Sequence, residues 1–235
     1  MILPTMKIGG LQKLSLLDFP GHPAAIVFTM GCNFRCPWCH NGDLVFQERS
    51  PIPEGEIFEF LSSREGLLEG VVLTGGEPLI HDEIADFLQR VRNRGFKIKL
   101  DTNGSFPTKL EELIDRGLLD YIAMDIKAPP GKYSKAAGVE VDFSQVEQSI
   151  HLIKEFEGDS EFRTTVLPFL DEKDFKEIGK LAQGVDRFAL QQFKIPEGKQ
   201  LVEPRLIEKT PEGSEEKARK MKPILEDYIT ELEVR

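Results

Sequence analysis

The sequence predicts an α/β fold with a parallel, barrel-like sheet, and two observations support that prediction. The run at 24–30 is short and almost continuously apolar, which is typical of a parallel strand buried on both faces. After it, strand-like and helix-like patterns alternate along the chain, as expected where helices cover the outer face of a parallel sheet. With 235 residues, the chain is long enough to form one such barrel as a single domain.

Six strands are predicted, and helical patterns lie between them. The strands are expected at 24–30, 70–74, 97–102, 121–126, 161–167 and 187–191. Helices are expected at 54–63, 82–94, 108–116, 143–155 and 174–183. Six βα units would leave such a barrel incomplete.

The segments on either side of this core, 24–191, are less regular. The N-terminal segment, 1–23, ends in a turn marked by Pro20 and Gly21. The C-terminal extension, 192–235, begins with a proline-rich stretch at 192–211, which we expect to be extended and irregular. It ends with a predicted helix at 215–232 that is kinked at Pro223. We expect one domain over 1–235.

Composition limits the classes of function. A formal net charge of -10 argues against a general nucleic-acid binder, because such proteins present concentrated positive charge to phosphates. No run approaches the roughly 18 apolar residues of a membrane span, and no secretory signal is visible at the N-terminus. We therefore expect a cytoplasmic protein with no membrane partner.

The three cysteines of the chain, Cys32, Cys36 and Cys39, lie within eight residues, just past the first predicted core strand. An ordinary 4Fe-4S cluster takes four cysteines, so three thiolates suggest a cluster with one iron left open for a substrate. Three other interpretations stay open: a zinc site completed by His40, a redox thiol group, or small buried apolar side chains. Against zinc, His40 directly follows Cys39; against disulfides, the count is odd.

The spacing C-x3-C-x2-C, with Trp38 just before the last cysteine, resembles the signature of the radical S-adenosylmethionine (SAM) superfamily. The resemblance implies that Cys32, Cys36 and Cys39 hold a 4Fe-4S cluster whose fourth iron binds the amino and carboxylate groups of SAM. Reductive cleavage of SAM then gives a 5'-deoxyadenosyl radical, which abstracts a hydrogen atom. It also implies the (βα)6 partial barrel, and it assigns Trp38 to the adenine, with burial against the loop as the alternative.

Further candidate residues follow the next predicted strand, where parallel α/β folds bind ligands. Gly75, Gly76, Glu77 and Pro78 resemble the family's GGEP motif, which implies that Gly75, Gly76 and Glu77 position the amino group of SAM. The alternative is a tight turn that caps the next helix, with Glu77 solvated.

Two more strand ends resemble glycyl-radical activating enzymes within the superfamily, which share a D-T-N-G stretch and a D-x-K strand end. In those enzymes the acidic pair is associated with a monovalent cation near the SAM carboxylate, which implies Asp101, Thr102 and Asp125 here. Asn103 is a further candidate from the same stretch, although Asn103 and Gly104 could equally form a turn. Lys127 would face the SAM carboxylate or an incoming segment of the partner, unless it only pairs with Asp125 at the surface.

Arg163 and Gln192 complete the candidate set. Arg163 matches an arginine that the family places near SAM, although an ion pair between strands is the alternative. Gln192 stands where pyruvate formate-lyase activating enzyme has a histidine, which puts an adenine contact there in doubt. His40 completes a C-H-N ending typical of activating enzymes, and we do not expect it to be a cluster ligand.

The whole chain most resembles activating proteins of anaerobic ribonucleoside-triphosphate reductase. The resemblance implies an oxidoreductase that generates a glycyl radical on a partner enzyme, with flavodoxin or ferredoxin as one-electron donor. Three alternatives remain: a 7-carboxy-7-deazaguanine synthase, a pyruvate formate-lyase type activating enzyme, and an iron-sulfur electron carrier that is not an enzyme.

Overall fold

The computed structural model describes residues 5–193, 201–203 and 214–235. Eight strands form one sheet whose spatial order is the chain order, so that β1 and β8 are its edge strands. The predicted α/β class with a parallel core is confirmed, since β2 to β3, β3 to β4, β6 to β7 and β7 to β8 all pair in parallel.

The chain divides into two compact units, and the first contains the described residues up to 33, with 43–102 and 108–122. Its strands are β1 (Ile8–Ser15), β2 (Ala24–Thr29), β3 (Gly70–Gly75) and β4 (Lys97–Thr102). Its helices are α1 (Gly42–Val45), α2 (Glu54–Ser62), α3 (Ile84–Arg92) and α4 (Pro107–Asp115), with a 3-10 turn at Pro78–Ile80. The first residues of α1 and α4, Gly42 and Pro107, are assigned to the second unit. Strands β2 and β3 are buried along most of their length, as the apolar runs predicted.

The second unit contains 34–42, 103–107 and the described residues from 123 onward. It holds the end of β5 (Tyr121–Asp125), then β6 (Asp159–Val166), β7 (Arg187–Gln192) and β8 (Glu231–Val234). Its helices are α5 (Tyr133–Ala137), α6 (Phe143–Lys154), α7 (Glu172–Ala182) and α8 (Ser214–Glu226), with a 3-10 turn at Pro130–Lys132. Helix α7 begins with a reciprocal capping box between Asp171 and Asp174.

Two strands are additions to the predicted six. The first, β1, was expected only as a mixed pattern before a turn, and it pairs antiparallel with β2. The second, β8, overturns part of the predicted C-terminal helix, which ends at Glu226 rather than at residue 232. The four residues of β8 alternate between exposed and half-buried. A segment of only four residues matches a helical spacing as well as a strand pattern, which is why the sequence did not separate the two.

Three expectations for the C-terminal half need a further note. Pro223 lies inside α8, as predicted. Most of the irregular tail predicted over 192–211 lies outside the described residues, with 192, 193 and 201–203 inside them. Within the described part of the chain, no helix has the length and apolar character needed to cross a membrane.

Candidate active site

The first cysteine is preceded by a tightly held glycine at the end of β2. Gly31 has φ +86°, a left-handed conformation that favours glycine. Its N–H donates to the Leu44 carbonyl oxygen at 2.8 Å, and its own carbonyl accepts the N–H of Glu77 at 2.9 Å. The backbone that leads into Cys32 is therefore fixed by α1 and by the turn after β3.

The other two cysteines lie in the second unit, on a turn of their own. The Cys39 N–H donates to the Cys36 carbonyl oxygen at 3.0 Å, which closes a four-residue turn with Pro37 at its second position. Just before it, the Arg35 N–H donates to Ala137 at 2.8 Å. A side chain at Gly138, where φ is +70°, would overlap the Arg35 carbonyl oxygen, so the end of α5 packs closely on this loop.

Residues 201–203 hold the same turn from a distant part of the chain, and the sequence analysis did not identify them. The Val202 N–H donates to the Cys39 carbonyl oxygen at 2.9 Å, and the Glu203 N–H donates to Pro37 at 3.0 Å. Leu201, beside them, is buried. No sequence pattern marks this pairing, because the backbone N–H of any residue except proline can make it.

None of the three cysteines is in a disulfide bond. Cys36 is buried, and burial raises the pKa of its thiol to about 11, against the opposing effect of the Lys127 ammonium. Within the described ranges, no three His, Cys, Asp or Glu side chains are gathered as a metal site would require. The fit of a cluster therefore depends on the chemistry of the donors: three thiols outside any disulfide, within eight residues of the sequence, are a donor set that suits iron-sulfur binding.

The Gly-Gly pair of the GGEP stretch packs against the start of the cysteine loop. Gly75 has φ +125°, and a side chain there would overlap the Thr29 backbone. A side chain at Gly76 would overlap the Gly31 carbonyl oxygen. The Gly76 N–H donates to Thr29 at 3.0 Å, so this amide serves the β2 end rather than a ligand.

Glu77 is buried, at 1% exposure, so the alternative of a solvated carboxylate is wrong. Its Oε1 accepts the Leu79 N–H at 3.1 Å, which caps the 3-10 turn, and the Thr102 hydroxyl at 2.8 Å. The structure thus brings together two predicted residues from β3 and β4, and it confirms the capping part of the alternative interpretation. Charge-assisted hydrogen bonds of this kind to a buried carboxylate are stronger than those between neutral groups.

Asp101 has a buried lysine as neighbour, which the sequence analysis overlooked. Lys99 Nζ lies 3.6 Å from Asp101 Oδ1 and donates to the Asp18 carbonyl oxygen at 2.6 Å. The available signal was a lysine between Ile98 and Leu100, in a strand otherwise expected to be buried.

In the second unit, Asp125 pairs with both cationic candidates. The Arg163 Nε donates to Asp125 Oδ1 at 2.8 Å, and Lys127 Nζ donates to Oδ2 at 3.3 Å. Burial of the carboxylate raises its pKa, but the Arg163 and Lys127 charges outweigh burial and lower the pKa to about 2. The ion pairs named as alternatives for Arg163 and Lys127 are therefore present.

The remaining candidates also lie in the second unit. Asn103 is buried, and its Oδ1 accepts both the Ser105 N–H at 3.0 Å and the Ser105 hydroxyl at 2.6 Å. Its carbonyl-side neighbour Gly104 has φ +76°, as a turn requires. Trp38 is half-buried with its ring 6.3 Å from that of Phe169, so one aromatic neighbour is already a protein side chain.

His40 and Gln192, the last two residues named from the sequence, also belong to the second unit. His40 is exposed. Gln192 ends β7, and its N–H donates to the Arg235 carbonyl oxygen at 2.8 Å, so its backbone belongs to the pairing with β8.

Comparison with known proteins identifies the class of this fold and site. Residues 26–182 match the model of the Radical SAM superfamily, so the chain belongs to that superfamily and is a radical SAM enzyme. The chain is 32% identical to MJ1227 of Methanocaldococcus jannaschii, over 97% of this chain and 95% of that protein. The name of MJ1227 is "Putative glycyl-radical enzyme activating enzyme".

Two further similarities are more partial. A 7-carboxy-7-deazaguanine synthase from Methanopyrus kandleri is 33% identical over 47% of this chain and 52% of its own length. The crystal structure of SuiB from Streptococcus suis bound to its precursor peptide SuiA superimposes with a TM-score of 0.70 at 16% identity, over 89% of this chain. The chain spans about half of SuiB, 48% of its length, so this likeness concerns the fold.

Proposed function

We propose that the chain cleaves SAM reductively at a 4Fe-4S cluster held by Cys32, Cys36 and Cys39, and generates a glycyl radical on a partner enzyme. Membership of the radical SAM superfamily implies the cluster and SAM as cofactors. The single observation that carries the finer proposal is the similarity to MJ1227, which extends over nearly the whole of both chains. It supports a shared type of reaction more strongly than a match over half of the chain would.

The chain's own residues would supply position and charge. When bound, the cluster supplies one electron to SAM, and cleavage gives methionine and the 5'-deoxyadenosyl radical. Glu77 offers a buried carboxylate to the SAM amino group, and Thr102 holds that carboxylate in one orientation. Lys127 and Arg163 bring positive charge for the SAM carboxylate, and their pairing with Asp125 fixes both side chains.

We assign the rest of the candidate set to SAM binding as well. Gly75 and Gly76 bring the backbone after β3 close to the start of the cysteine loop, and we assign this stretch to positioning SAM. Asp101 and Asn103 lie at and just beyond the end of β4, and Trp38 would pack on the adenine. The family resemblance also predicts a monovalent cation near Asp101 and Asp125, but Lys99, Arg163 and Lys127 already place positive charge beside these two carboxylates, which argues against it.

The substrate we propose is a glycine of a separate protein, anaerobic ribonucleoside-triphosphate reductase. Transfer of one hydrogen atom from the glycine α-carbon to the 5'-deoxyadenosyl radical would leave a glycyl radical on the partner and release 5'-deoxyadenosine. Support for a protein substrate comes from the name of MJ1227 and from the peptide bound to SuiB, a protein of similar fold, whereas the choice of this reductase rests on the sequence resemblance alone. A flavodoxin or ferredoxin would supply the electron for SAM cleavage. We place the reaction in the cytoplasm. We also propose that residues 1–235 act as a single domain.

A second candidate function is synthesis of 7-carboxy-7-deazaguanine. One observation favours it: the relative from Methanopyrus kandleri matches about half of this chain at 33% identity. That match covers about half of the relative as well, which makes it weaker support than the match to MJ1227.

The deciding experiment combines the anaerobically reconstituted, reduced protein with SAM and the candidate reductase. We expect a doublet glycyl-radical signal in the electron paramagnetic resonance spectrum and about one 5'-deoxyadenosine per radical formed. Deuterium placed on the target glycine should appear in the 5'-deoxyadenosine. A variant with Cys36→Ala is the control without a complete donor set.

Other results would favour the alternatives. Turnover of a pterin precursor, with no radical on the reductase, would support the deazaguanine reaction. A radical formed on pyruvate formate-lyase instead would change only the partner. A reduced cluster whose spectrum is indifferent to SAM would overturn the proposal in favour of electron transfer alone.

A further inference from the structure

Lys99 is a buried charge in the middle of β4. Only 4% of its side chain is exposed, and its neighbours Ile98 and Leu100 are fully buried. An ammonium in such a place is costly unless other groups compensate its charge and its three N–H donors. The groups around the Lys99 ammonium must therefore offset the cost of burying its charge.

Three groups surround the Lys99 ammonium, all within the first unit. The Asp18 carbonyl oxygen accepts from it at 2.6 Å, Asp101 Oδ1 lies 3.6 Å away, and the centre of the Tyr121 ring lies 4.9 Å away. The carboxylate balances the charge, the carbonyl accepts a hydrogen bond, and the ring face adds a cation-π attraction. The ammonium thus has one defined position, on the Asp101 side of β4.

The Asp18 carbonyl is itself held rigidly. The Ser15 hydroxyl donates to the Asp18 carboxylate, and the Asp18 N–H donates to the Ser15 Oγ at 3.1 Å. The next residue, Phe19, is buried, with its ring 6.0 Å from Tyr121 in an edge-to-face arrangement. The turn of the N-terminal segment therefore serves as an anchor for Lys99.

We propose that Lys99 is a positioning residue that supplies the positive charge beside Asp101, in the place of a bound monovalent cation. This inference rests on the proposed function, in which Asp101 contributes to SAM binding. Asp101 with Lys99 at 3.6 Å already has a cation at ion-pair distance. In the second unit, Asp125 likewise has two, Arg163 and Lys127. SAM binding by this chain is accordingly independent of potassium and sodium.

The first test uses the wild-type protein, reconstituted with its cluster. SAM affinity is measured by equilibrium dialysis in potassium chloride and in tetramethylammonium chloride, whose cation is too large for a compact carboxylate site. We expect the two dissociation constants to agree within about twofold, because ionic strength and its screening are the same in both. A strong requirement for potassium would overturn the inference, and this arm needs no variant.

The second test removes the ammonium. In tetramethylammonium chloride, Lys99→Ala should weaken SAM binding about tenfold, in line with the loss of a group that orients a ligand-binding side chain. Potassium or methylammonium should restore the affinity of Lys99→Ala, because either can enter the space beside Asp101. A purely structural lysine would show no such rescue.

Two further variants keep this test decisive if Lys99→Ala folds poorly. Lys99→Met keeps the volume without the charge, and Lys99→Met binding SAM like wild type would overturn the inference. Lys97→Met replaces an exposed lysine of the same strand and is the matched control, and its dissociation constant for SAM should equal that of wild type. A wild-type protein that binds no SAM in either salt would overturn the proposed function together with this inference.

Discussion

Replacing Gly76 by alanine would push a methyl group into the backbone that precedes the first cysteine. The new Cβ would overlap the carbonyl carbon and oxygen of Gly31, and it would lie 3.4 Å from the Cys32 Cβ. The Gly31 carbonyl cannot rotate away freely, because it accepts the Glu77 N–H at 2.9 Å. Relief of the overlap must therefore displace the turn after β3, the start of the cysteine loop, or both.

We expect Gly76→Ala to lower the free energy of unfolding by about 3 kcal/mol, the upper part of the usual range for overpacking. The upper part applies because both opposed groups are backbone, whereas a flexible side chain could move aside. For a chain of this length, with an m-value of roughly 3 kcal/mol/M in urea, the unfolding midpoint should fall by about 1 M.

The assay is urea unfolding of the cluster-free protein, followed by circular dichroism. The matched control is Gly55→Ala, since Gly55 lies in α2 with no atom within 4 Å of an added Cβ. Alanine there should stabilise the protein by about 0.5–1 kcal/mol through helix propensity. A Gly76→Ala midpoint equal to that of wild type, with an unchanged m-value, would refute the steric argument.

Three further predictions concern single contacts. His81 Nε2 lies 3.0 Å from the Met30 carbonyl oxygen, and burial lowers the pKa of this imidazole below its ordinary value. As the pH falls, His81 is therefore protonated in the unfolded chain before it is protonated in the folded protein. Stability should therefore decrease below about pH 6.5, by at most about 1.4 kcal/mol per pH unit, and His81→Gln should flatten that slope in urea titrations. Asp125→Ala should weaken SAM binding in dialysis while the iron content stays at wild-type level; unchanged binding would contradict the role given to its cationic partners. Val202→Pro removes the backbone N–H that donates to the Cys39 carbonyl oxygen, so the Cys39 thiol of the cluster-free protein should be labelled faster. The control is Glu203→Ala, which keeps its backbone N–H and should leave the labelling rate unchanged.

The parallel core could be predicted from the sequence because each of its strands carries its own local signal. The β2 run is apolar at every position from residue 24 to 28, and such a run has few alternatives between two turns. The edge strands lack that signal. Strand β1 contains Gly9 and Gly10 and takes its conformation from pairing with β2, a contact that no local pattern encodes.

The candidate site was predictable only as far as its motifs reach. The cysteine spacing and the Gly-Gly pair stand out in any reading of the chain. The partners of the charged residues do not, because Asp125 and Arg163 are 38 positions apart and meet only through the pairing of the sheet. The same holds for Val202 and Cys39, whose backbone hydrogen bond depends on no side chain.

The Gly-Gly pair also shows how a motif can have two physical causes. From the sequence, the absence of a side chain is explained by the approach of a ligand. In the structure, Gly75 and Gly76 also lie against the backbone of Thr29 and Gly31, where no Cβ fits. The requirement for glycine therefore precedes any ligand, since it comes from packing the end of β3 onto the end of β2. A ligand that binds beside this pair meets a backbone already fixed by the fold, which reduces the ordering that binding itself must cost.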